Sequence, residues 1–198
     1  MPNPKLPTIY FDNDECLQTH ARISSLGPNS ETIVSAPDPD PDYNKDHPYL
    51  IIYKRPGIDE LLSNLRKTHK VKLLTFARRQ SALTINKLCN FGFAEDDIIA
   101  REDILGTTAL HSEYPNPISR KTDPNSILID DHGPHSGYLQ CKANYLGIPT
   151  SKCIKCHALY PTVPSPETLA EGKAYTAQLG EEVQKLLHRV TVRDDISR

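Results

Sequence analysis

The sequence predicts an α/β fold: a mostly parallel central sheet with helices on both faces and a small β insertion after the first strand. Three observations carry that prediction. A β-branched and aromatic run, Thr8-Ile9-Tyr10-Phe11, leads straight into the acids Asp12 and Asp14. Strand-period and helix-period segments then alternate along the chain, the pattern that builds parallel sheets through crossover helices. Finally, polar clusters fall at the ends of three predicted strands: Asp12/Asp14, Thr75 and Asp130/Asp131. In an open parallel sheet the carboxyl ends of the strands share one edge, where ligands sit, so the three clusters converge.

The elements follow in order. Thr8–Phe11 reads as a buried first strand. Residues 19–47 form a polar insertion rich in Pro and Asp, with short β-like pieces at Ala21–Leu26 and Thr32–Ala36. Within it, Ala36-Pro37-Asp38-Pro39-Asp40-Pro41-Asp42 reads as an exposed loop, because each proline removes a donor and restrains its predecessor. Tyr49–Tyr53 is a strand stopped by Pro56-Gly57. From Ile58 the period turns helical, with Ile58, Leu61, Leu62 and Leu65 on one face, acids in the first turn and bases in the last. Val71–Thr75 is the next strand, Ser81–Asn90 a helix, Asp97–Ala100 a short strand and Ser126–Asp131 a strand ending in acids. Residues 132–165 read as irregular. The last helix spans Ser165 to about Arg189, with Ser165 as N-cap and Pro166 at its first position. One domain, residues 1–198, accommodates all of this.

Composition excludes several classes. A net charge of −2 gives no global attraction to nucleic acid or membrane. No apolar run approaches the about 18 residues of a membrane helix. Five scattered cysteines suit reduced thiols in a cytoplasmic or nuclear setting better than a disulfide framework.

The chemistry begins with Asp12 and Asp14. Side chains alternate along a strand, so carboxylates at i and i+2 face the same way and repel unless a cation lies between them. Hard oxygen ligands at a strand end suit Mg2+, and a carboxylate there can also serve as a nucleophile. An acidic turn after a strand is the plain alternative.

In order along the chain, Asp12-Asn13-Asp14-Glu15-Cys16-Leu17, Lys54-Arg55-Pro56-Gly57, Leu73-Leu74-Thr75-Phe76-Ala77, Arg101-Glu102 and Ile127-Leu128-Ile129-Asp130-Asp131 resemble motifs of the haloacid-dehalogenase (HAD) superfamily of phosphatases. Within it they resemble the FCP/SCP (NLI-interacting-factor-like) branch, related to the RNA polymerase C-terminal-domain phosphatases. The matches cover about residues 8–131. Cys16 stands where that family carries Thr, and His132-Gly133-Pro134-His135 departs from the branch's asparagine-serine-proline.

The resemblance implies a HAD-like, Rossmannoid three-layer αβα sandwich without a large cap, and a Mg2+-dependent phosphomonoester hydrolase. Asp12 would be the nucleophile forming an aspartyl-phosphate, and Asp14 the acid and base. Asp12, Asp14 (through its carbonyl), Asp130 and Asp131 would hold the metal. Thr75 would bind phosphate oxygens together with Lys121, the basic candidate between Glu102 and Asp130 alongside Arg120. Arg78 and Arg79 are candidate substrate-binding residues near the site mouth, against a solvated helix turn. A phosphoprotein is the expected partner, through a serine/threonine phosphatase activity. The alternatives are a phosphatase for a small molecule, nucleotide or nucleic-acid end, and a catalytically inactive HAD-fold binding module.

Cys153-Ile154-Lys155-Cys156-His157 stands apart from these motifs. Cys141, Cys153, Cys156 and His157, with His132 or His135 in support, have the chemistry of a zinc site, but the adjacency of Cys156 and His157 fits a Cys-x2-Cys hairpin poorly. The expectation is therefore unligated thiols.

Overall fold

The computed structural model describes residues 6–38, 45–105, 125–132, 152–159 and 163–196. The main sheet has five strands, all paired in parallel. They are β1 (Ile9–Phe11), β5 (Val71–Leu74), β6 (Ile98–Ile99), β7 (Ile127–Asp130) and β8 (Cys153–Lys155), in the spatial order β6-β5-β1-β7-β8. β1 is thus the central strand, with Phe11 opposite both Leu73 and Ile129.

Alternation sorts the strand residues into two cores. Ile9, Phe11, Leu73, Ile127 and Ile129 join a large cluster on one face, while Tyr10, Leu74 and Leu128 join a smaller one on the other. The larger cluster also receives α1 (Ile58–Arg66), α2 (Arg79–Cys89) and α4 (Pro166–Ile196). Ile104 of the short helix α3 (Arg101–Leu105) covers the smaller one, with Phe76 and Cys153.

The helices start and stop where local chemistry demands. Gly57, at φ 78°, occupies the left-handed region ahead of α1, and Ile58, Leu61, Leu62 and Leu65 are the buried face that the sequence pattern marks. α2 begins at Arg79 rather than Ser81. Its first N–H has no side-chain cap within its own turn; the Glu102 carboxylate reaches across from α3 and accepts it at 2.8 Å. Such a remote cap leaves no local sequence signature. α2 ends at Asn90, whose left-handed conformation closes the last turn as an asparagine can. α4 starts as predicted, with Ser165 Oγ accepting Thr168 N–H at 3.3 Å, but runs past Arg189 to Ile196.

Three further segments differ from the reading above. The insertion is a three-stranded antiparallel sheet, β2 (Gln18–Ile23), β4 (Tyr49–Lys54) and β3 (Ile33–Pro37), ordered β2-β4-β3. It therefore extends beyond residues 19–47, because Tyr49–Lys54 is its own central strand. Buried on one face by pairing between two neighbours, that strand shows the same apolar run as a strand of a parallel sheet. The β-like piece ending at Ala36 is β3, and Pro37 belongs to it rather than to the loop; a strand-end, edge position is where a proline is tolerated. Cys153–Lys155, placed in an irregular region from sequence, is the edge strand β8; three residues are too few for a periodic signal. Asp97 closes a 3-10 turn, Glu95–Asp97, and only Ile98–Ile99 is strand. Among the described residues no helix is long and apolar enough to cross a membrane.

α4 lies close against the loop before α1. A Cβ placed on Gly172 would fall 2.8 Å from Cγ of Pro56 and within 3.3 Å of two more atoms of its ring. Alanine would gain about 1 kcal/mol of helix propensity, but overpacking against a rigid ring costs about 1–3 kcal/mol. Gly172→Ala is therefore expected to lower the melting temperature. A rise would mean that the helix can shift away from Pro56 at little cost.

Candidate active site

β1 ends at Phe11, and the ladder continues one step further: Asp12 N–H donates to Ile129 O at 2.9 Å. With Phe11 opposite Ile129, Asp12 lies level with Asp130 across a strand spacing of about 4.8 Å. Asp12 is 8 % exposed, Asp131 6 % and Asp130 fully buried. Thr75, directly after β5, is buried too, and its hydroxyl accepts Ala77 N–H at 3.1 Å. That bond fixes the rotamer and leaves the hydroxyl proton as what Thr75 can offer an incoming oxygen. The sheet thus brings Asp12, Thr75, Asp130 and Asp131 to a single edge.

Asp14 does not sit in the strand. The chain leaves β1 at Asp12, and Asp14 forms an isolated bridge to Gln18 before a turn at Glu15, whose φ of 59° is left-handed. The Asp14 carboxylate is half exposed and directed by neighbours that the sequence did not single out. Gln18 Nε2 donates to its Oδ1 at 2.9 Å and Asn13 Nδ2 to the same oxygen at 3.2 Å. His20 Nδ1 lies 3.8 Å from that oxygen.

The next turn crowds further acids together. Burial, and then the neighbouring Asp131 carboxyl, hold the Glu15 carboxyl above its usual range. His132 lies against these acids: its Nδ1 is 3.1 Å from Asp131 Oδ2 and 3.6 Å from Asp130 Oδ1, and its backbone N–H donates to Asp130 Oδ1 at 3.0 Å. Ligand atoms of Asp130, Asp131 and His132 all lie within 4.8 Å of one another. Asp131 Oδ1 is buried without a hydrogen-bond partner among the described residues. A buried, unpartnered carboxylate oxygen in an oxygen-rich cluster is the donor chemistry of a divalent cation site, so these residues fit a divalent cation.

Other predicted residues fall elsewhere. Lys121, Arg120, Cys141 and His135 lie outside the described residues. Arg78 is the residue before α2, in extended conformation. Arg79, expected beside it at the mouth, is instead committed to structure: its guanidinium pairs with Asp103 and donates to Ile98 O at 3.1 Å. Arg101 likewise donates through Nε to Phe76 O at 2.7 Å. The cysteine pair does not assemble with His157 into a metal cluster among the described residues. Cys153 packs in the smaller core and Cys156 in the larger, because an odd spacing in an extended segment sends side chains to opposite faces.

The geometry defines a class first: an α/β fold whose acids lie at the carboxyl edge of a parallel sheet. No family model matches the sequence, and no curated protein does either. Solved structures do match. Fission yeast Fcp1, an RNA polymerase II CTD phosphatase solved as an arginine-to-alanine variant bound to beryllium fluoride, aligns with TM-score 0.50 and 15 % identity, over 93 % of this chain and 54 % of that one. A second structure of Fcp1, described as an essential RNA polymerase II CTD phosphatase, aligns with TM-score 0.48 and 15 % identity over 93 % and 52 % of the two chains. The chain spans about half the length of these structures, and at this identity the likeness to the beryllium fluoride-bound variant shows the fold alone.

The raised Glu15 carboxyl makes a testable statement about stability. A folded-state pKa above the ordinary 4.5 means that, as pH rises through that window, the folded state holds a proton the unfolded state has lost, so stability falls. Glu15→Gln removes the effect. In chelator-treated protein, the variant should melt with the wild type near about pH 4 and above it near about pH 7. Equal differences at both pH values would contradict the assignment.

Proposed function

We propose that the chain is a Mg2+-dependent phosphomonoester hydrolase that works through an aspartyl-phosphate on Asp12, with a phosphoprotein as substrate. The observation that carries this reading is Asp12 itself: a nearly buried carboxylate at the end of the central strand, level with Asp130 and beside Thr75.

The Asp12 carboxylate attacks phosphorus in line and forms an acyl-phosphate as the ester P–O bond breaks. Asp14 gives a proton to the leaving oxygen, then takes one from the water that hydrolyses the intermediate. Gln18 and Asn13 both donate to Asp14 Oδ1, which directs the acid's proton to the other oxygen. Thr75 donates its hydroxyl proton to a phosphoryl oxygen, and Lys121 supplies the positive charge to another. Arg78 is the remaining candidate for contacts with substrate. A divalent cation held by Asp12, Asp130 and the Asp14 carbonyl, with Asp131 alongside, supplies charge neutralisation for an anionic substrate.

A macromolecular substrate suits the described insertion, a small three-stranded sheet rather than a closing domain. The solved structures that share the fold are of phosphatases for the RNA polymerase II CTD, which favours phosphoprotein within this reading. A panel of phosphopeptides, sugar phosphates, nucleotides and phosphorylated oligonucleotide ends separates this substrate from the other phosphomonoesters.

Aryl phosphate hydrolysis should require added Mg2+ and be abolished by chelator. Asp12→Asn should lower its rate by at least ~10^3, the scale of losing a covalent nucleophile. A fully active Asp12→Asn protein would remove Asp12 from the mechanism. No hydrolysis of any panel member by the wild type would leave the binding-module reading in its place.

A further inference from the structure

We infer that His132 is a ligand in the same metal site and gives it a preference for a first-row transition ion over Mg2+. The inference rests on the metal-dependent reading above and refines the ion it uses.

The distances have the scale of a coordination shell. Metal bonds to His nitrogen and carboxylate oxygen are about 2.0–2.2 Å, which places neighbouring ligand atoms about 2.8–3.6 Å apart in tetrahedral or octahedral geometry. His132 Nδ1 stands 3.1 Å from Asp131 Oδ2 and 3.6 Å from Asp130 Oδ1. An ion pair between His132 and Asp131 would explain the shorter contact alone. It leaves the second oxygen of Asp131 buried and unpartnered in a side chain only 4 % exposed. A cation beside that carboxylate answers both observations at once.

The route in is open, since the His132 side chain is 49 % exposed while both carboxylates are buried. An ion would therefore meet the imidazole from solvent and the acids behind it. Mg2+ demands oxygen ligands and keeps its waters, whereas imidazole suits softer ions such as Fe2+, Ni2+ and Zn2+. Adding one imidazole to this set of oxygen ligands thus discriminates by softness, and the discriminating atom is the His132 nitrogen.

Mn2+ is the stringent probe, because it stands lowest among the first-row divalent ions in the general order of affinity and, like Mg2+, is suited by oxygen ligands. The full chain, stripped with chelator, would be titrated with Mn2+ by electron paramagnetic resonance and with Mg2+ by competition. Spin-echo modulation from 14N would report whether an imidazole binds the bound Mn2+. Wild type should bind Mn2+ at least ~10-fold more tightly than Mg2+ and show the 14N signal. Outer-shell partners of metal ligands already cost about 10–100-fold in affinity when removed, so His132→Asn should lose the signal and at least ~10-fold in Mn2+ affinity, with Mg2+ binding changed little. Asp131→Asn should weaken both ions. His132 is half exposed, and far-UV circular dichroism would confirm that its variant is folded.

Mn2+ binding without a 14N signal, or with one that persists in His132→Asn, would overturn the inference and leave the metal-dependent reading standing. Wild type that binds neither ion would overturn both.

Discussion

The site depends on one buried cation. Arg55, 4 % exposed, follows β4 and spreads its guanidinium under the turn that carries Asp14 and Glu15. Nε donates to Cys16 O, and Nη2 donates to Glu15 O at 3.0 Å and to His157 O. The ring of Tyr175 from α4 lies 5.8 Å from the guanidinium carbon, and its hydroxyl accepts His157 N–H at 2.7 Å. Four segments distant in sequence therefore meet at one side chain. A charge taken out of water is tolerated only when its donors are satisfied, and a planar fork reaches several carbonyls at once where an ammonium would not. The turn needs this support because Glu15 holds a left-handed conformation that residues other than glycine adopt at a cost. The segment after β8 is tied in twice over, since Leu159 N–H also donates to Glu15 O at 3.1 Å.

Arg55 holds in place a region of unfavourable electrostatics. Asp12, Asp14, Glu15, Asp130 and Asp131 gather at one edge, with the His132 imidazole 3.1 Å from Asp131. Lys54, next to Arg55 in sequence, is turned the other way, with Nζ 2.6 Å from Asp59 Oδ2 and 5.6 Å from the centre of the Phe91 ring. Burial, and after it this crowding, raises the Glu15 carboxyl. Packing elsewhere sustains it: the larger core joins α1, α2 and α4 to the central strands and gives β1 no freedom to relax. Apolar burial on that scale can carry a locally unfavourable cluster, as functional sites commonly require.

What could be read in the sequence divides along the same line. Strand ends were legible because Ile9-Tyr10-Phe11 and Ile127-Leu128-Ile129 are long enough in apolar character to mark where Asp12 and Asp130 begin. The α1 face was legible because Ile58, Leu61, Leu62 and Leu65 follow a 3.6-residue period. Partnerships were not. Tyr49–Lys54 looks identical whether its neighbours are parallel or antiparallel, and only the register with β2 and β3 decides. Arg79 looked available because Asp103 lies 24 residues away and pairs with it only through the fold. Gln18 gave no signal at all, since an amide anchoring Asp14 across a turn has no periodicity. Arg55 was visible as part of a helix-start motif, but its three acceptors come from the turn after β1 and the tail after β8.

Cys16 shows how such partnerships make sense of a departure from pattern. It stands where the resembling family carries Thr, and its thiol points into the core toward Ile129 O, at 3.7 Å. Burial, followed by the neighbouring Cys156, pushes that thiol well above its usual range, so the Cys16 sulfur is a packing atom rather than a reactive one. Ile129 O also accepts Asp12 N–H at 2.9 Å. One carbonyl of β7 thus receives the chain on both sides of Asp14, before it leaves the sheet and after it returns. Cys156 N–H donates to Asp130 O at 2.9 Å, carrying the same arrangement to the next strand. The acids at the edge are positioned by backbone donors and acceptors on three neighbouring strands. The side chain at position 16 has only to fill the space behind them, which a small buried thiol does as well as a hydroxyl without needing a strong acceptor.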